Sequence, residues 1–365
     1  MTTAAREVFA APDSFRPADS GYALLPFRFL ALDGQQVVVN EAGEHLLLSR
    51  AQFDDFVGHR LGPDSSTYSD LKAKQFLADG DLSLPITLLA LKCRTKRSFL
   101  AGFTKLHIFV VSLRCDHACK YCQVSRVSLD RGRFDMTRET ALLALDCVFR
   151  SPSRTLKIEF QGGEPLLNFE VVRFTVEEAE RRSKQEGRIV QFVITTNLAF
   201  ITDDILGYLR DHNIRVSTSL DGPAFLHNSN RPRPGGDAYE RTIAGIHRSR
   251  EYLGPSAVSA TMTTTKLSLE HPTEIIDEYV AQGFSSIFLR PLSPYGFAAK
   301  THQRTGYEVE AFLDFYKRAL EYIIELNRRG VRISEIYSQI LLTKMLTPFS
   351  TGYVDLQSPA GAGIG

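Results

Sequence analysis

From Leu106 onward, stretches rich in β-branched and aromatic residues alternate six times with stretches of helical period, and few folds accommodate that alternation. A predicted strand over 106–113 leads through a cysteine-bearing loop to a helix capped by Thr137; one over 156–160 leads to a helix capped by Asn168. The third, 189–195, leads to a helix capped by Thr202, and the fourth, 215–220, to a helix opened by the capping box Asp237-x-x-Glu240. The fifth, 258–262, precedes a helix opened by Pro272; the sixth, 286–289, precedes a long helix over 309–329. This is the pattern of a parallel α/β sheet, in which chemistry gathers just after the C-terminal ends of strands. No internal sequence repeat accompanies it.

The first of those post-strand positions holds Cys115-Asp116-His117-Ala118-Cys119-Lys120-Tyr121-Cys122. Three cysteines at C-x3-C-x2-C make one metal-binding loop, and eight residues leaving a strand can wrap thiolates round one face of a four-iron cube. Only three ligands are offered locally, so one iron would stay open, as a catalytic metal keeps a position open. A zinc site with His117 as fourth ligand and a purely electron-transferring cluster are the alternatives. A disulfide framework does not suit five cysteines in a chain of 365 residues without a secretory leader. Of the other two cysteines, Cys147 is expected as a packed thiol on a helical stripe and Cys93 as a linker thiol in the basic run 92–97.

Composition excludes some partners. Lys and Arg number 43 against 42 for Asp and Glu, so no global field recruits nucleic acid or an anionic membrane. No apolar run approaches membrane-spanning length and residues 1–19 lack a signal-peptide core, so the cytoplasm is the expected location. The length predicts roughly two domains. Residues 1–21 read as a mobile leader and 22–92 as a small α+β module. That module is a hairpin through Asp33-Gly34, a third strand over 45–48, a helix opened by Ser49 and Gln52, and a second helix over 68–79. Residues 93–330 form the core, and 331–365 read as a truncated C-terminal extension.

The cysteine spacing, with an aromatic residue just before the third cysteine, resembles the signature of the radical S-adenosylmethionine (radical SAM) enzymes. The resemblance implies a partial (β/α)6 barrel carrying one [4Fe-4S] cluster on Cys115, Cys119 and Cys122. The open iron would bind SAM, whose reductive cleavage gives a 5′-deoxyadenosyl radical. Gly162-Gly163-Glu164-Pro165, after the second predicted strand, is similar to the motif that grips the SAM amino group in that family. Ser219-Leu220-Asp221-Gly222 matches its Ser-Leu-Asp-Gly pattern, which implies SAM contacts for Ser219 and Asp221. Thr196-Asn197 resembles its Thr-Asn-Gly, with Leu198 in the glycine's place, and Asn197 is carried over as a cofactor contact. Beyond the cluster ligands the resemblance supplies no catalytic residue. His227-Asn228-x-x-Arg231 is similar to a His-Asp-x-x-Arg stretch of peptide-modifying members; Arg231 and Arg290 are candidates for a carboxylate, Tyr295 and Phe297 for the substrate mouth.

Within that family, residues 106–126 most resemble the maturases of the His-Xaa-Ser repeat peptide system, which are related to the sulfatase-maturase (SPASM) type. The implied substrate is a ribosomally made precursor peptide, with a flavodoxin or ferredoxin as reductant and a second radical SAM protein as a possible companion. The module over 22–92 resembles leader-peptide recognition domains, with a plain cap on the core as its alternative. No cysteine follows Cys147, and Ser358-Pro359-Ala360-Gly361-Ala362-Gly363 resembles the start of a cluster-binding extension with Ala360 in a cysteine's place. An auxiliary cluster is therefore not expected, and the chain is expected to be incomplete. A Cys- or Ser-oxidising maturase and a non-catalytic peptide-binding partner with a structural cluster are the competing functions.

Overall fold

The computed structural model describes residues 21–102, 104–124, 130–293, 295–349 and 351. The chain clusters into two units: residues up to 101 with 340–353, and residues 102–339 with the chain end. The Ala360 segment, Ser125, Arg126 and the first twenty residues lie outside the described residues.

In the first unit, β1 (Ala23–Leu24) precedes β2 (Phe27–Leu32), β3 (Gln35–Asn40) and β4 (His45–Ser49), an antiparallel sheet of order β2-β3-β4. Asp33 and Gly34 take φ of 48° and 78°, positive at both central residues as a two-residue type I′ hairpin turn requires. Helix α1 (Arg50–Val57) opens on the expected capping box: Ser49 Oγ accepts from the Gln52 N–H, and Gln52 Oε1 from the Ser49 N–H. Helix α2 (Ser66–Ala73) is shorter than the sequence predicts, because the chain leaves it to form β5 (Leu77–Ala78), which pairs antiparallel with β1. Helix α3 (Ser83–Lys96) falls where no helix is expected. Its exposed Leu84, Ile86, Leu88 and Leu91 follow no single face, and no side chain caps its N-terminus, so neither periodicity nor a start signal announces it. Tyr22, Phe53, Phe56, Phe76 and Leu71 are buried at this unit's centre.

The second unit runs β6 (Leu106–Ser112), α4 (Arg131–Phe134), α5 (Arg138–Phe149), β7 (Thr155–Gly162), α6 (Phe169–Glu186), β8 (Ile189–Thr195), α7 (Asp203–Asp211), β9 (Ile214–Ser219), α8 (Ala224–Asn230), α9 (Ala238–Leu253), β10 (Val258–Thr261), α10 (Pro272–Ala281), β11 (Ser286–Ile287), α11 (Phe297–Thr305), α12 (Val309–Arg328) and β12 (Ser334–Glu335), with α13 (Ile336–Leu346) following. Strands β6 to β10 form one parallel sheet in sequential order. Phe109, Ile158, Phe160, Ile194 and Val216 are buried on its helix-covered side; residues of the opposite parity, such as Glu159, Thr195 and Ser217, line a cavity. The fold is thus an α/β partial barrel together with an N-terminal antiparallel sheet.

The sixth predicted strand departs from expectation. β11 is two residues long and pairs parallel with β12 instead of extending the sheet. The Leu289 N–H donates to the Glu335 carboxylate at 3.1 Å, and one backbone bond, from Thr264 N–H to Arg290 C=O, ties this segment to the chain beyond β10. The expected caps Thr137 and Thr202 accept from Thr140 and Ile205. Asn168 instead donates to the carbonyls of Val111 and Met136, and Asp237 pairs with Arg233 and Arg241. Cys147 is exposed, not packed, because the buried stripe of α5 is Ala141, Leu145 and Val148. Among the described residues no helix is long and apolar enough to cross a membrane.

Candidate active site

The cysteine loop leaves β6 at the C-terminal edge of the sheet, and its entry is locked before the first cysteine. Arg114 forks onto Asp135 with bonds of 2.8 and 2.6 Å and donates a third, of 2.7 Å, to the Leu167 carbonyl; such bidentate charged bonds are geometrically specific. Within the loop, the Ala118 and Lys120 N–H groups donate to the carbonyls of Pro232 (2.7 Å) and Asn230 (3.0 Å). From the other side the Ala298 N–H in α11 donates to Cys122 C=O at 3.1 Å, and Thr301 Oγ1 to Lys120 C=O at 2.5 Å. Helix α11 was not anticipated, and no signal near the cysteines points to it. Tyr295 and Phe297 lie at its N-terminal end, both exposed, and neither lines the cavity.

The two glycines at the end of β7 have a second reason beyond the one their sequence suggests. The sequence assigns them to close approach of a ligand; they also admit the protein's own backbone. Gly163 N–H donates to Ser112 C=O at 2.7 Å and Glu164 N–H to Arg114 C=O at 2.8 Å. A Cβ on Gly162, which has φ of +139°, would lie 2.1 Å from the Ser112 oxygen, and one on Gly163 2.1 Å from the Arg114 oxygen. Only glycine lets this turn lie against the chain that enters the cysteine loop.

Glu164 is fully buried behind that turn. Its carboxylate accepts from Leu166 N–H (3.0 Å), Thr196 Oγ1 (2.6 Å) and Asn197 N–H (2.8 Å), joining the turns after β7 and β8. Burial outweighs these donors and pushes its pKa up to about 7. The folded state therefore binds a proton that the unfolded chain loses near pH 4.5, so stability is full below that pH and falls as pH rises through 7. The drop is of order 3 kcal/mol for a shift of this size. Glu164→Gln should flatten the pH dependence of the thermal melt between pH 5 and 8 while lowering it throughout, since one donor loses its acceptor; an unchanged slope would count against Glu164 as its source.

Asn197 ties β8 to the cysteine loop: Nδ2 donates to Asp116 Oδ1 at 2.7 Å and lies 2.8 Å from His117 Nδ1. Burial works against Asp116 ionisation, but bonds from His117, Asn197 and Arg233 outweigh it and hold its pKa at about 2. Leu198, which replaces a glycine of the resembled motif, takes φ of 64°. Its side chain is buried against Gly245, where a Cβ would lie 2.5 Å from that of Leu198, so a backbone conformation unfavourable to leucine is held by packing.

Asp221 and Arg231 converge on Tyr121. The Tyr121 hydroxyl donates to Asp221 (2.7 Å to Oδ2), and Arg231 Nη1 donates to the tyrosine oxygen at 2.7 Å. Asp221 is fully buried. The site residues expected from sequence thus divide. Cys115, Cys119, Cys122, Gly162, Gly163, Asn197 and Ser219 line one cavity of about 340 Å3, as do Arg231 and Arg290. Glu164 and Asp221 stand behind its wall and brace it.

Burial raises the Cys115 thiol to about 12 and the Cys119 thiol to about 11, and neither is in a disulfide. Three thiols from one loop, sharing a cavity with the Gly162-Gly163 turn, fit a cluster held by three thiolates with a small polar molecule next to it. The ring Nδ1 of His117, the alternative fourth ligand, is turned to Asp116 and Asn197, although Cys115, Asp116 and His117 do place donor atoms within 4.8 Å of one another.

The family model of the radical SAM superfamily matches residues 109–279. The chain is similar to the radical SAM cyclopropyl synthase TigE of Paramaledivibacter caminithermalis, 31% identical over 156 residues, 39% of this chain and 32% of that one. It is also similar to the cysteine-type anaerobic sulfatase-maturating enzyme of Clostridium perfringens, 22% identical over 237 residues, 64% of this chain and 63% of that one. The chain thus spans under two thirds of both relatives. Among solved structures, native anSMEcpe with bound AdoMet superposes with a TM-score of 0.56 at 20% identity, over 68% of each chain, a likeness of fold.

Proposed function

This chain belongs to the radical SAM superfamily through residues 109–279, and from that premise we propose that it is a peptide maturase whose [4Fe-4S] cluster is held by Cys115, Cys119 and Cys122. The observation that carries the proposal is the single cavity shared by those thiols and the Gly162-Gly163 turn at the C-terminal edge of the parallel sheet. When bound, cluster and SAM supply a carbon-centred radical able to remove hydrogen from an unactivated carbon.

The chain's own residues position and enclose. Gly162 and Gly163 place their turn on the cavity wall for the amino acid end of SAM; Asn197 and Ser219 offer polar side chains on the same wall, with Ser219 assigned to the ribose hydroxyls. Glu164 and Asp221 act at one remove, Glu164 by fixing the Thr196-Asn197 turn and Asp221 by fixing Tyr121 between the second and third cysteines. The ring of His117 and the two arginines on Tyr121 and Asp116 keep the loop from shifting. Anaerobic reconstitution with iron and sulfide, then dithionite and SAM, should yield 5′-deoxyadenosine; a cluster that leaves SAM intact would sink this reading.

The substrate is proposed as a precursor peptide with His-Xaa-Ser repeats, on the resemblance of the cysteine stretch. A flavodoxin or ferredoxin is the proposed reductant, a second radical SAM protein a proposed companion, and the cytoplasm the proposed location. The three-stranded sheet of the first unit is the proposed site for the peptide's leader, because edge strand β2 leaves Phe29, Leu30 and Leu32 exposed and an edge can accept a further strand. A fluorescent leader peptide titrated against the full chain should saturate, and absence of binding would reduce the unit to a cap. The sulfatase-maturase relationship favours a second reading, oxidation of a Cys or Ser side chain, which a peptide screen separates from the first.

A further inference from the structure

Barrel interiors are ordinarily filled by bulky branched side chains. Here the inward positions of β7 to β10 carry Gln161, Thr195, Ser217 and Thr261, and the space stays open. Among these hydroxyls and amides stands one carboxylate. Glu159 Oε1 accepts from Gln161 Nε2 at 2.6 Å and from Thr195 Oγ1 at 2.8 Å. Among the described residues no donor bonds its Oε2, and no lysine or arginine forms an ion pair with it. Glu159 and Ser217 line both the 340 Å3 cavity of the cysteines and a second cavity of about 660 Å3, whose wall also carries Lys157 and Arg215.

A part-buried carboxylate on the wall of a cavity, held in place by two neutral donors on one of its oxygens, is a preorganised acceptor for a charged donor. We propose that Glu159 is a specificity-determining residue that receives a protonated nitrogen of the substrate side chain (imidazolium, ammonium or guanidinium). This rests on the reading of the cavity as a peptide-modifying site and names the substrate class within it. Gln161 and Thr195 act as positioning residues, since both bond the same oxygen, Oε1.

The test uses the full, cluster-loaded chain in its oxidised state with SAM, and ligand-detected NMR at mildly acid pH. The probes are N-acetyl-lysinamide, N-acetyl-histidinamide and neutral N-acetyl-serinamide. The two cations should bind better than the neutral probe, and Glu159→Gln, which keeps acceptors for Gln161 and Thr195, should weaken them about tenfold while equilibrium dialysis shows SAM binding unchanged. Thr195→Val keeps the charge and should retain the preference for cations. Equal binding of all probes, no binding of either cation, cation binding unaltered in Glu159→Gln, or its equal loss in Thr195→Val would each overturn the assignment. The wider reading fails by a different sign, the absence of 5′-deoxyadenosine.

Discussion

Alanine at Gly163 should cost the protein about 3 kcal/mol, the top of the usual range for forcing extra atoms into a packed site, and should strip the reconstituted protein of most of its iron. The reason is what the new methyl group meets. Its three nearest atoms are the Arg114 oxygen at 2.1 Å, the Arg114 carbonyl carbon at 2.7 Å and the Leu113 carbonyl carbon at 2.9 Å, all backbone. None can rotate away, and Arg114 is pinned by Asp135 and the Leu167 carbonyl. Relief must come from moving the segment that carries Cys115. Gly187 provides the contrast: it has φ of 64° but open space around it, so alanine there should cost only about 1 kcal/mol and leave iron content intact. Thermal melts and iron analysis of the two variants check this, and a Gly163→Ala protein with wild-type iron would refute it.

Cys119→Ala should have the opposite profile, a complete loss of 5′-deoxyadenosine with little loss of stability. Among the described residues the Cys119 thiol bonds no other side chain, and burial already disfavours its thiolate, so removing the sulfur should cost no more than about 1 kcal/mol. Metal binding loses one of three thiolates offered by the loop. Circular dichroism should match wild type, with the first unit folded, while chromatography finds no SAM cleavage. Retained cleavage would remove Cys119 from the ligand set and with it the assignment of the loop.

Much of the second unit was legible because its signals are local. Strand β8 was bounded at its observed ends, and Thr137 and Thr202 cap their helices, because a β-branched run or a hydroxyl before a helical stripe carries its own instructions. What stayed hidden depends on distant partners. β11 leaves the sheet for β12, far along the chain; α11 clasps the cysteine loop through backbone atoms that no side chain advertises; and α3 lacks a polar face. The same division runs through the site. The cysteines and glycines could be picked out by spacing, but that Glu164 and Asp221 would turn inward to brace Thr196 and Tyr121 follows from burial, which the residue letters do not encode.

The cysteine loop is held by carbonyls of residues 230 and 232, by α11 and by the turn after β7, and none of these backbone bonds uses a thiol. Many small metal domains are disordered until the ion arrives, so that binding and folding are one event. Here the tethers are independent of the thiols. A chelator should therefore empty the loop reversibly, leaving a folded protein that regains its colour when iron and sulfide return.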